Sequence, residues 1–167
     1  MKNPFKRIII EDPADKGAVI SADDKYRYAL WRVWNHHKPC VLFIMLNPST
    51  ADASKDDPTI KKCISYAKKW GYGGLYVGNL YAFRSRDPKA LGHEDRPVGV
   101  DNDAYLQWMK DKCEMIIAAW GNNILGDRRA EEVRFNFSPM NCLELTKSGR
   151  PKHPLYLGRN CKLMKYS

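Results

Sequence analysis

The apolar residues of this chain fall in short unbroken runs separated by stretches of amphipathic spacing. The strongest run is Val41-Leu42-Phe43-Ile44-Met45-Leu46, followed at once by Asn47-Pro48-Ser49-Thr50. Its length and its β-branched and aromatic content predict a strand buried on both faces of a sheet. Pro48 cannot donate to a ladder and Asn47 tolerates unusual backbone angles, so the strand stops there. Residues 75–81, 115–119 and 141–145 read as further core strands. They run into polar segments in turn: Arg84-Ser85-Arg86-Asp87-Pro88, Gly121-Asn122-Asn123 and Thr146. Between the strands, Asp57-Pro58 reads as an N-cap with proline at the first helical position, and Ile60, Cys63, Ile64 and Ala67 share one face up to Gly71. A second helix, capped by Asp101 or Asn102, carries Leu106, Met109 and Cys113, and a third starts near Asp127. Ahead of all this, residues 18–20 and 26–34 alternate apolar positions in part with Arg27 and Arg32. That pattern predicts an antiparallel hairpin at the sheet edge with one solvated face. Residues 1–17 read as a loosely ordered lead-in and 18–167 as one domain. The succession predicts an α/β fold, a three-layer α/β/α sandwich with a mostly parallel central sheet.

Composition narrows the function classes. At 167 residues the chain can bury a full core without staples. Its 28 Lys plus Arg against 19 Asp plus Glu give a net charge of +9, which favours an anionic partner such as nucleic acid, nucleotide or acidic lipid. Five cysteines, at 40, 63, 113, 142 and 161, form no Cys-x-x-Cys pair, which argues against a disulfide scaffold, zinc ribbon or iron–sulfur site. Ile8-Ile9-Ile10 is too short for a signal-peptide core or a membrane span. A soluble, cytoplasmic, monomeric protein is expected, with no metal and no cofactor.

In open α/β sheets, ligands bind beyond the carboxyl ends of the strands, so the polar residues there are the candidates for chemistry. Asn47, Ser49 and Thr50 follow the first core strand. Asn79 interrupts an otherwise apolar strand, where a buried carboxamide either satisfies a neighbouring loop or reads a ligand edge. Arg84 and Arg86 flank Ser85 at the same rim and suit a phosphate. From Lys147 to Ser167 there are six basic residues and no acid: Lys147, Arg150, Lys152, Arg159, Lys162 and Lys165. Interleaved with Leu155, Tyr156 and Leu157, this segment is either a phosphate grip with an apolar tip or a solvated basic tail. His153 sits in it between Pro151 and Pro154, in a loop that cannot be helical. Asp52, Asp56 and Asp57 invite a metal reading, which the capping role of Asp57 weakens. Trp31, Trp34, Trp70, Trp108 and Trp120 read as core or core-edge residues before a stacking platform, with Trp120, at the end of the third strand, the one candidate for a pocket wall.

Taken together, Tyr26-Arg27-Tyr28, Leu46-Asn47-Pro48-Ser49-Thr50-Ala51-Asp52, Asp57-Pro58-Thr59, Asn79-Leu80 with Arg84, Trp120-Gly121 and His153-Pro154-Leu155-Tyr156 resemble an uncharacterised bacterial and phage family of the domain-of-unknown-function kind. More remotely, the order and spacing are similar to the uracil-DNA glycosylase superfamily. That superfamily has an Asn-Pro or Asp-Pro loop after the first core strand, an Asn in the next strand and a late His-Pro-Ser loop. The resemblance implies a glycosylase-like fold in which Asn47 positions the attacking water, Asn79 reads the base and His153 stabilises the departing base. Ser49 and Thr50 would join the base site. Arg84, Arg86, Arg150, Lys152 and Arg159 would hold DNA, and Leu155, Tyr156 or Leu157 would fill the vacated stack. The sequence departs from the superfamily at Met45 and Ser49, where the mismatch glycosylases carry glycine, and at Leu155, where they carry serine.

The expected activity is therefore hydrolysis of the N-glycosidic bond of a damaged or modified base, a pyrimidine, in DNA, phage or modified DNA included. Such an enzyme extrudes the nucleotide and breaks the bond through a cationic sugar and an anionic base. A neutral His153 donating to the base oxygen would serve the anion, and Asn47 would orient water, with Asp52 a reserve base. Two other classes remain open at this point. One is a non-catalytic nucleic-acid or nucleotide binder. The other is a hydrolase or base-transfer enzyme acting on a free nucleotide, which would need no wedge.

Overall fold

A computed structural model describes residues 15–122 and 127–166. At its centre lies β3 (Cys40–Met45), the continuous apolar run, in which Val41, Leu42, Phe43 and Ile44 are all fully buried. Burial of that kind stabilises by about 1.5–3 kcal/mol per large side chain. β3 pairs in parallel with β4 (Gly74–Asn79) on one side and with β5 (Met115–Ala118) on the other. β1 (Lys16–Ile20), β2 (Arg27–Val33), β6 (Asn141–Cys142) and β7 (Met164–Lys165) complete a seven-stranded sheet of order β1-β2-β4-β3-β5-β6-β7.

The sheet is mixed, where a mostly parallel one was expected. β4, β3, β5 and β6 form a parallel run, and the pairings of β1 with β2, β2 with β4 and β6 with β7 are antiparallel. The hairpin of β1 and β2 does lie at one edge, but only β1 is the edge strand. That corrects the reading of Arg27 and Arg32. Held between two neighbours and covered on both faces, β2 has no solvated side, and the two arginines are 3% and 6% exposed. The N-terminal boundary shifts as well. β1 takes in Lys16 and Gly17, and the rest of the expected lead-in, residues 1–14, lies outside the described residues.

α1 (Pro58–Lys69) starts where Asp57 accepts a hydrogen bond from the Ile60 N–H. It ends on Gly71, whose φ of +83° lets Gly71 and Tyr72 donate back to the Lys68 and Ala67 carbonyls. Ile60, Cys63, Tyr66 and Ala67 of α1 pack on the sheet face formed by Val41, Phe43, Leu75, Val77 and Ile117. α2 (Asn102–Lys112) and α3 (Asp127–Phe137) cover the other face through Leu106, Met109, Val133 and Phe137 against Leu42, Ile44 and Ile116. The expected strand over 141–145 shrinks to β6. Beyond it Leu145 makes only a single bridge, to Pro151, because the chain turns back at Gly149 (φ +80°). Among the described residues no helix is long and apolar enough to cross a membrane.

Candidate functional site

The carboxyl ends of β3 and β4 are tied into one unit. Leu80 and Tyr81 N–H donate to the Met45 and Leu46 carbonyls, which carries the parallel ladder past the strands' formal ends. Asn47 then crosses to the loop after β4, its Nδ2 donating to Ser85 O at 2.9 Å and to its own loop at Pro48 O, 3.3 Å. Ser85 N–H returns a bond to Pro48 O. With its amide nitrogen committed, Asn47 keeps its carbonyl end as the acceptor. From the far side, Asn102 Nδ2 donates to the carbonyls of Asn79 (2.9 Å) and Leu80 (3.2 Å), and Arg129 Nε also donates to Leu80 O (2.9 Å). The main chain at Asn79 is thus held from two helices.

The loop after β5 is joined to the His153 segment. Gly121, in the left-handed region at φ +78°, donates its N–H to Pro151 O. A 3-10 turn over Pro154–Tyr156 follows, with His153 as its cap: His153 Nδ1 accepts the Leu155 N–H at 3.2 Å. Because Nδ1 is the acceptor, the neutral ring carries its proton on Nε2. Burial lowers the imidazole pKa below its ordinary value, and the nearby Asp57 carboxylate opposes that only in part. His153 is therefore a neutral donor at physiological pH.

These segments enclose a cavity of about 220 Å³ whose wall includes Asn47, Ser49, Asp57, Asn79, Arg86 and His153. Asn47, Asn79 and His153, far apart in the chain, meet there. A second cavity of about 320 Å³ shares Asn47, Pro88 and His153 with it and continues to Trp120, Asn122 and Tyr156. The other expected residues divide. Arg86 and Leu155 border the first cavity and Tyr156 the second. Leu155 is 41% exposed and Tyr156 82%, whereas Leu157, the third expected wedge residue, is buried in the core under α1 and is not available for that role. Thr50 is not in either wall. Arg84 turns to Asp24, Lys152 pairs with Glu144 at 2.6 Å, and Arg150 bonds Asn122 Oδ1. Arg159 stays exposed while its carbonyl receives Lys69 Nζ at 2.7 Å.

The basic C-terminal segment is bound down to α1, as Lys62 Nζ reaches the Leu155 and Leu157 carbonyls and Tyr66 OH donates to Gly158 O. The three aspartates do not converge: Asp52 receives Ser54 and Lys55 N–H, Asp56 pairs with Arg32, and Asp57 caps α1. No group of three or more metal-ligating side chains occurs among the described residues. The carboxylate in the cavity wall is Asp57, whereas Asp52, the reserve base, is not part of it.

Sequence reasoning missed Arg27, Asp57, Thr59 and Ser85 as wall residues. Asp57 carried a signal, since an N-cap carboxylate after a loop from a strand's carboxyl end sits at the rim by construction. Arg27 is the larger omission. It is buried, with one hydrogen bond from its guanidinium to Ala51 O at 3.0 Å, and its Nε is without a partner. Burial pushes its pKa down to about 10, so it stays charged at neutral pH. Of the three buried side-chain polar atoms without a partner among the described residues, Arg27 Nε, Asn79 Oδ1 and Asn102 Oδ1, the first two belong to residues of this one cavity.

Fold and site together define an α/β protein with a polar pocket at the carboxyl rim of a mixed seven-stranded sheet. The chain belongs to the family described as Protein of unknown function (DUF1643), whose model matches residues 27–155. That span runs from Arg27 to Leu155 and so contains every wall residue of the 220 Å³ cavity. No curated protein and no solved structure matches the chain.

Proposed function

We propose that the protein is an N-glycosidic-bond hydrolase of the DNA glycosylase kind, acting on a pyrimidine extruded from DNA. The observation that carries this reading is the meeting of Asn47, Asn79 and His153 around one cavity, Asn79 having a buried Oδ1 without a partner among the described residues. An orphaned acceptor costs about 1–3 kcal/mol in the empty protein, a cost removed by a ligand N–H such as that of a pyrimidine dione ring. The volume suits a single base better than a larger ligand, for which pockets usually exceed about 300 Å³.

In the reaction, the C1′–N bond breaks with its electron pair leaving on the base. His153 Nε2–H donates to the ring oxygen on which the negative charge gathers, an oxyanion-hole contribution of about 3 kcal/mol. The carbonyl end of Asn47 accepts from a water and aims its oxygen at the cationic C1′. As the new C–O bond forms, the water's proton passes to Asp57 or to solvent, and the departing base is protonated. Leu155 and Tyr156, exposed beside the pocket, suit the gap the extruded nucleotide leaves. The net charge of +9, with Lys147, Arg159, Lys162 and Lys165 exposed, suits the phosphate backbone.

The test is incubation with duplexes carrying uracil, thymine mismatches, damaged pyrimidines and bulky modified pyrimidines, followed by alkali. Strand cleavage at one or more of these is expected. Silence across the panel, with salt-dependent duplex binding indifferent to Asn47→Ala, would replace catalysis by plain nucleic-acid binding.

A further inference from the structure

Three arginines are buried among the described residues, and two of them are neutralised internally. Arg32 Nε lies 2.8 Å from Asp56, and its other nitrogens reach the carbonyls of Gly17, Trp31 and Asp52. Arg129 is paired with Asp103 and with Glu132 and also donates to Leu80 O. Arg27, the most deeply buried at 3% exposure, has neither arrangement. Its one hydrogen bond goes to a neutral carbonyl, Nε is unpartnered, and no carboxylate forms an ion pair with it among the described residues. Asp57 is near enough to favour its charge, yet that carboxylate is engaged in capping α1.

A buried cation whose nearby carboxylate makes no direct ion pair with it is costly, and proteins ordinarily pair such a group, hydrate it or neutralise it. Here it faces a cavity whose wall holds a second guanidinium, Arg86, against a single carboxylate, with His153 held neutral. The wall therefore has a surplus of positive charge as well as an unused acceptor at Asn79. Its complement is a ligand with an N–H on one side and a negatively charged oxygen on another. A plain uracil or thymine ring supplies the first and not the second.

We propose that Arg27 receives an anionic oxygen of the ligand, so that the cavity selects a pyrimidine carrying an oxyanion, carboxylate or phosphate, over the unsubstituted base. This builds on the reading of the cavity as a nucleobase site. The oxyanion has two possible sources, a carboxylate on the ring or the 5′-phosphate of the nucleotide. Both present the bidentate edge that a guanidinium fork fits.

The experiment is calorimetric binding to the whole chain of uracil, 5-carboxyuracil, deoxyuridine and deoxyuridine monophosphate, with Arg27→Met and Arg27→Lys alongside. Binding at least tenfold tighter for 5-carboxyuracil than for uracil is expected, lost in Arg27→Met and weakened in Arg27→Lys. A tenfold preference for the monophosphate over deoxyuridine, lost in the same variant, would support the proposal with phosphate as the source. Equal binding within each pair, or a preference that survives Arg27→Met, would overturn it.

Thermal unfolding gives a second arm. Removing an unneutralised buried charge should leave the midpoint of Arg27→Met unchanged or raised, whereas Arg32→Met, which strands Asp56, should lower it. A fall for Arg27→Met as large as that for Arg32→Met would show a guanidinium already satisfied within the fold and sink the idea. The readouts need no turnover. Oxyanion preference without strand cleavage removes the hydrolase and keeps Arg27's role, and cleavage with no oxyanion preference does the reverse.

Discussion

The two ends of the sheet each hold a cavity, and their walls differ more tellingly than their volumes. At the amino end, about 390 Å³ lies among Val33, His36, Lys38, Pro39, Cys40, Tyr76 and Lys112. At the carboxyl end the space is smaller, about 220 Å³, but two of its wall residues, Arg27 and Asn79, each hold a buried polar atom without a partner among the described residues. None of the unpartnered buried atoms belongs to the amino-end wall. There, Lys112 rests over the Trp108 ring and His36 meets Asp15 at the surface. Natural folds satisfy almost all buried polar groups, so a place where two fail together is where something else belongs. Room alone marks a groove between side chains. Unmet hydrogen-bonding capacity marks a site.

The comparison breaks most visibly at Asn79. Asn79→Leu keeps the size and the apolar strand and removes the orphaned carboxamide. Base-excision rate, followed by alkali cleavage, should drop at least about 100-fold, while denaturant unfolding shows stability unchanged or improved. Loss of stability with activity intact would mean the carboxamide belongs to the fold. A step smaller is Asn102→Ala, which strips the donor from the Asn79 and Leu80 carbonyls. It should cost about 1–3 kcal/mol in urea unfolding and reduce the rate as well, since it releases the backbone that aims Asn79.

Acidification tests the third wall group. Burial depresses the His153 pKa, so the folded protein takes up this proton at lower pH than an ordinary histidine does. Activity should hold as pH falls through about 6.5 and decline only below it, when protonation removes the acceptor for the Leu155 N–H. The same group makes the fold lose stability on acidification, beginning near the unfolded value, because the unfolded chain binds that proton first. The smallest effect belongs to the amino end. Lys112→Ala should leave the excision rate within about twofold and cost no more than about 0.5–1 kcal/mol, the worth of an exposed cation–ring contact. A large rate change there would reverse the assignment of the two ends.

Much of the site was readable because it rests on local rules. Six apolar residues ending at Asn47-Pro48 specify a central strand and its exit, and Asp57-Pro58 followed by an Ile60, Cys63, Ala67 face specifies α1. Gly71 specifies where that helix stops. Asn79 stood out as a carboxamide in an otherwise apolar strand, and His153 as an imidazole between Pro151 and Pro154. The misreadings arise from long-range pairing. Alternation in β2 looks the same in an edge strand and an interior one, and only its pairing with both β1 and β4 turns Arg27 and Arg32 inward. The mixed sheet follows from the same event, since β2 joins β4 directly in antiparallel register. Likewise nothing local announced that Lys62, Lys69 and the buried Tyr66 of α1 serve the carbonyls of residues 155–159.

That attachment makes α1 a common mount. At its first turn Asp57 forms part of one wall, and farther along, its lysines and tyrosine hold the strap that carries His153 and Leu155. The spacing between the two is therefore gauged along one helix, with the bonds of Pro151 and Lys152 to Gly121 and Glu144 fixing the far end of the strap. A graft of the Asn47 loop onto another scaffold would reproduce the floor and leave the gap above it unmeasured, whereas moving residues 57–69 together with 153–160 would carry the gauge with them.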